Sequence, residues 1–221
     1  MSRRRLLGAL LASVVLIPRA LPAQVALQWQ AGIGYGIHHI LDAGTALRST
    51  GMLLGGGLGV TFNSRYELWG EVAGGHLNSS DSTALLDQSV ANAQVLAGFR
   101  AEPWLTLRAG PVFRGYSDAL GHQHWTTVRV GAEAQLPLAL EGMHGLLEGY
   151  WIPVASVSGL PSPETALAAG AGLDWRGKRL TVTLRYRLER YDFPGASNAR
   201  RLEELSSLHL RIGMHLLQLT P

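Results

Sequence analysis

Ten stretches of the chain alternate between apolar positions and positions that are polar, charged or small. They cover roughly residues 25–37, 51–63, 66–76, 90–100, 104–115, 125–138, 145–153, 165–176, 179–190 and 206–217. Successive side chains of a β-strand point to opposite faces, so a period of two predicts a strand with one apolar side. In the last stretch Leu208, Leu210, Ile212, Met214 and Leu216 form the apolar stripe. Ser207, His209, Arg211, Gly213 and His215 form the other. The first stretch sets Leu27, Trp29, Ile33, Tyr35 and Ile37 against Gln28, Gln30, Gly32, Gly34 and Gly36. In the ninth, Leu180, Val182, Leu184, Tyr186 and Leu188 oppose Arg179, Thr181, Thr183, Arg185, Arg187 and Glu189. Slipping that strand by one residue would exchange an aliphatic face for an ionic one, which fixes its register.

The connections alternate in length. Short turns are expected at 63–65, 101–103, 139–144 and 177–178, and longer loops at 38–50, 77–89, 116–124, 154–164 and 191–205. Tight turns at one end and long loops at the other predict an all-β fold. The expected architecture is a closed antiparallel transmembrane β-barrel of ten strands, with eight as the smaller count. The turns would be periplasmic and the loops extracellular, and an even strand number leaves both termini in the periplasm. Aromatic residues on the apolar stripes fall into two groups. Trp29, Phe62, Tyr66, Phe99 and Trp175 lie near the turns, and Tyr35, Phe113, Trp151 and Tyr186 lie nearer the loops. Two such belts are what membrane interfaces select.

Composition adjusts this picture in three places. Residues 1–23 carry four arginines and no acid, with Arg3, Arg4 and Arg5 followed by a twelve-residue apolar region over 6–17, the pattern of a cleaved export signal with its cut between Ala23 and Gln24. Twelve is well short of the ~20 residues of a spanning helix. Without residues 1–23 the formal charge of +3 becomes −1, with 15 basic and 16 acidic residues, which removes support for nucleic-acid binding. Residues 24–221 fit one domain, the barrel. The chain has no cysteine, so neither disulfides nor thiol chemistry enter. A hydrophobic content of 47% beside 27 glycines suits strands that face lipid.

On this pattern the chain resembles the small outer-membrane β-barrel proteins of Gram-negative bacteria. Arg211, Gly213, Met214 and Leu216 are similar to the polar, glycine and hydrophobic positions of the C-terminal assembly signal of those proteins. The chain departs from them in ending Gln218-Leu219-Thr220-Pro221 rather than on an aromatic residue. The resemblance implies a cell outer-membrane location, contact with outer-membrane lipid and lipopolysaccharide, and the barrel assembly machinery as a partner.

The candidate site is a set of charges on the stripe that would face the barrel interior. Counted from the turns, Glu71, Arg108, Glu133, Glu148, Arg185 and Arg211 fall at similar heights, and Arg129 and Arg187 lie on the same stripe. Arg100, Arg114, Arg176, Arg179, Glu67, Asp174 and Glu189 extend it. Buried charges persist when paired, and small barrels are filled by side chains, which predicts an ionic plug and a structural or surface-interaction role for the protein. The alternative is a narrow constriction that favours anions. A second alternative is a soluble exported barrel with its bulky face inward around an apolar ligand.

No cofactor, metal or catalytic site is expected. His38-His39 and His122-x-His124 have no third ligand at a defined spacing. The chain resembles the omptin-type proteases in strand number, but His76, Asp81, Asp87 and Asp192 do not assign to their acidic pairs and His–Asp couple. The segment from His38 to Ala43 is faintly similar to the histidine–serine region of lipid A deacylases. Leu41 stands where the serine nucleophile is needed. The glycine-rich 55–59 is not followed by Lys-Ser/Thr, so it is no phosphate loop. Arg200 and Arg201, followed by Glu203 and Glu204, read as a solvated cluster or a contact to lipopolysaccharide phosphate.

Overall fold

The computed structural model describes residues 24–42, 44–79, 87–119, 121–194 and 201–219. Residues 1–23, with the expected export signal and its cleavage position, lie outside them, as does Asp81. The described residues form ten strands. They are β1 (Val25–Asp42), β2 (Thr45–Phe62), β3 (Tyr66–Ser79), β4 (Gln88–Glu102) and β5 (Leu105–Ser117). They continue as β6 (His122–Pro137), β7 (Met143–Val157), β8 (Thr165–Arg176), β9 (Leu180–Phe193) and β10 (Arg201–Leu219). Each pairs antiparallel with its neighbours in sequence. β1 pairs with β10 from Val25 opposite Leu219 to Asp42 opposite Arg201, so the sheet closes on itself. Closure leaves no edge strand along the wall.

The expected loop lengths need correction. Residues 38–42 and 45–50, expected in a long loop, are strand, with Asp42 of β1 paired to Thr45 of β2 and Gly44 at a φ of +86°. The strands likewise extend into the other loops, to Ser79, Ser117, Val157 and Phe193 on one side and from Gln88, His122 and Arg201 on the other. Inward and outward positions keep alternating through these extensions, and each residue added to a strand also adds ladder hydrogen bonds. At the opposite end Asn63 and Ser64, with φ of +49° and +56°, form a tight left-handed turn between β2 and β3, closed by Arg65 N–H on the Phe62 carbonyl. Such turns match the twist of paired strands.

The apolar stripes face outward. Leu54, Leu58, Val72, Trp151, Leu184, Leu210 and Ile212 are exposed on the wall, whereas Glu71, Arg129, Glu133 and Arg211 are buried inside. An inverted soluble barrel needs the reverse, and the structure corrects that expectation. The aromatic residues of both expected belts lie on the outer surface, Trp29 half-buried and the others exposed.

Candidate functional site

The interior is built from one parity of each strand. Along β9, Thr183, Arg185, Arg187, Glu189, Tyr191 and Phe193 point inward, because Leu184, Tyr186 and Leu188 are held outward by the apolar wall. The same rule places Glu71 on β3, Gln94 on β4, Arg108 and Arg114 on β5, Arg129 and Glu133 on β6, Glu148 on β7 and Arg211 on β10. Three storeys result, running from the short-turn end to the long-loop end.

The middle storey is ionic and consists of two chains of six groups. In one, Arg108 joins Glu67 to Glu133 (2.6 Å to the latter), and Arg185 joins Glu133 (3.0 Å) to Glu148 (3.4 Å). Arg187 closes that chain with two bonds to Glu148, at 2.7 and 3.2 Å. In the other, Arg211 grips both oxygens of Glu71, and Gln94 donates to Glu71 at 3.1 Å while accepting from Arg129 at 3.4 Å. Arg129 and Arg114 both end on Glu189, which also accepts from the Tyr191 hydroxyl at 2.9 Å. Two-pronged guanidinium–carboxylate bonds are the strong, geometrically demanding kind. The structure therefore brings Arg108, Glu133, Glu148 and Arg185 into one chain with Arg187. It places Glu71 and Arg211 in the second, with Arg129.

Above this layer, toward the long loops, the lumen is filled by a buried, largely aromatic cluster. His38 stacks on Tyr116 at 4.8 Å, and Trp125 meets Tyr116, Tyr191 and Phe193 edge-on at 6.2, 4.9 and 5.8 Å. Leu53, Leu77, Val90, Tyr150 and Ile152 complete a buried cluster. His38 itself is held by Gln88, at 2.9 Å, and by Glu203, which Arg201 also contacts. The sequence reading missed this seal. Its signal was present in the parity, since Tyr116 lies two residues beyond Arg114, and Tyr191 and Phe193 lie two and four beyond Glu189.

Below the ionic layer the short-turn mouth is hollow, a cavity of about 300 Å³. Its walls carry Gln28, Gln30, Trp69, Arg100, Asp174 and Arg176, and its floor is made by Arg108, Glu133, Arg185 and Arg211. Beside Trp69, β2 offers only glycine. A Cβ at Gly57 would stand 2.6 Å from the Trp69 ring, and one at Gly59 would strike it too, so the indole lies flat against bare backbone. Arg176 donates to Asp174 and Gln135, both at 2.6 Å.

The two ends differ in charge. Among the described residues the long-loop end carries Asp42, Asp87, Asp118, Glu164, Asp192, Glu203 and Glu204 against Arg48, Arg190 and Arg201. The short-turn end carries Arg65, Arg100, Arg176, Lys178 and Arg179 against Glu67, Glu102, Glu141 and Asp174.

The other candidates do not assemble into a site. His38 faces inward and His39 outward, where it lies 4.0 Å from Glu204. His76 contacts Ser89, Asp87 accepts from the Ser79 amide, and Asp192 lies by Thr165 and Arg190. No group of three or more metal-ligating side chains occurs among the described residues.

A closed antiparallel barrel with an apolar outer wall and an ionic interior is the architecture of the outer-membrane β-barrel proteins. No family model matches the chain, and no curated protein sequence is similar to it. Among solved structures, it is similar to the β-domain of the Bordetella autotransporter BrkA. Identity is 16% over 88% of this chain and 99% of that one, with a TM-score of 0.48. The translocator domain of the autotransporter NalP from Neisseria meningitidis is 14% identical over 96% of this chain and 94% of that one, with a TM-score of 0.45. Neisserial surface protein A is 8% identical over 86% of this chain and 97% of that one, with a TM-score of 0.39.

Proposed function

We propose that this protein is an outer-membrane barrel closed by its own side chains, which acts through its wall and its long-loop rim rather than as a conduit. The observation that carries this reading is the double seal, with an aromatic cluster around Trp125 stacked on the two chains of ion pairs. An aromatic layer offers an ion no replacement for its hydration shell, and each guanidinium of the ionic layer is tied to a carboxylate rather than turned to a passing ion. Both termini then lie in the periplasm, and lipid, lipopolysaccharide and the barrel assembly machinery are its partners in the envelope. The outward Leu and Val stripes fit the first of these. The role is structural or surface-interactive and involves no catalysis.

Planar-bilayer recording of the refolded protein tests the reading. A silent baseline is expected for the wild type. A steady, anion-preferring current would replace closure by conduction.

A further inference from the structure

The hollow at the short-turn mouth has no part in keeping the lumen shut. Its volume of about 300 Å³ lies at the small end of ligand sites. We propose that it is a binding cup for a compact anion of the phosphate class, gripped by Arg100 and Arg176 beside the Trp69 indole.

The first argument is the distribution of charge. Glu67, Glu71, Glu133 and Glu148 are matched by Arg108, Arg185, Arg187 and Arg211, and Asp174 is matched by Arg176. Arg100 is left over. Its half-buried side chain makes no ion pair or hydrogen bond with any described residue, and it lines the cup. A guanidinium held in a narrow hollow and paired with no described carboxylate is a standing attraction for an anion. The carboxylates in the cup are already engaged by arginines, so they do not oppose one.

The second argument is shape. Gly57 and Gly59 let the indole of Trp69 recede into the wall, which leaves a flat apolar face on β3 beside Arg100 of the neighbouring strand β4. Gln28, Gln30 and Thr61 stand on the lining with polar groups that can complete the ligand's hydrogen bonds. The third argument is access. The surplus of bases at this end draws anions to this mouth, and the surplus of acids at the other end repels them. A free phosphate and a lipid headgroup share this chemistry.

Calorimetry of the protein folded in maltoside micelles, which contain no phosphate, tests the proposal with inorganic phosphate at low ionic strength, where screening is weakest. Saturable binding is expected. It should weaken at least tenfold in Arg100→Gln and by less in Arg176→Gln, and it should be unchanged in Arg190→Gln, on the outer wall at the far end. Circular dichroism checks that each variant is folded. Repeating the titration in phosphatidylglycerol nanodiscs separates the sources. Retained binding assigns the cup to soluble phosphate, and binding lost there assigns it to a lipid headgroup. The proposal is overturned by an absence of saturable heat in micelles, or by equal affinity in the wild type and in both cup variants.

Discussion

The two halves of the lumen fill the same barrel in opposite ways. Toward the long loops the inward positions carry Tyr116, Trp125, Tyr191 and Phe193, with the three other rings packed edge to face on Trp125. Toward the short turns the same parity carries Gln28, Gln30, Arg100 and Arg176 around open space. The wall does not set the halves apart, because its outward stripes are apolar over most of both, with polar residues such as His39, Arg190 and Glu204 only at the long-loop rim. Side-chain volume does, with bulky rings at one end and, on β2, glycines at the other. An interior of this width can be sealed or hollow without any change of strand number.

The contrast predicts a gradient of mutational cost. Glu133 holds both Arg108 and Arg185 in the ionic floor between the halves. Glu133→Ala should therefore destabilise by about 3–5 kcal/mol, the cost of leaving a buried partner uncompensated. Urea unfolding in vesicles measures the loss, and removing Arg185 as well should restore much of it. A loss of only ~0–1 kcal/mol would mean that the layer is as wet as the cup. In the aromatic half, Trp125→Ala should cost about 3–5 kcal/mol through the cavity it leaves among Tyr116, Tyr191 and Phe193. A small effect there would erase the distinction between the halves.

The wall supplies a control for both. Leu184→Arg, on the lipid side of β9, should cost about 2–4 kcal/mol in a bilayer, and an unchanged stability would overturn the assignment of faces. The smallest effect is expected at the mouth. Arg176 is 39% exposed and bound to Asp174, so Arg176→Gln should change stability by ~0–1 kcal/mol in the same unfolding assay. A larger loss would show that the cup is part of the scaffold rather than a site resting on it.

Strand number and facing were legible in the sequence because both follow from stretches with a period of two, whereas height in the lumen does not, and Gln94 went unnamed in the ionic layer. Leu184 outward forces Arg185 inward, and the same step repeats along every strand. The long-loop ends were not legible, because Gly, Ser, Asp and Asn suggest loops whether or not their backbone is paired. Residues 38–42 and 45–50 are the clearest case, since only their pairing with one another and with β10 and β3 shows that they belong to the wall. The partition into two ion-pair chains was also hidden. It depends on which arginine reaches across the lumen, and Arg129 passes to Glu189 on β9, sixty residues away in sequence. The seat of the indole was hidden for a related reason, because it needs Gly57 and Gly59 on one strand to meet Trp69 on the next.

The seam between β1 and β10 has a kinetic consequence. Val25 and Leu219 become neighbours only when nearly the whole barrel lies between them. Every other strand pairing joins elements consecutive in the chain, so this single contact carries the longest loop closure in the molecule. High contact order of that kind slows folding. Closure of the seam is therefore the expected last and rate-limiting event. Until it occurs, β1 and β10 each present a full-length unpaired edge, and the nascent barrel is then most open to pairing with another chain.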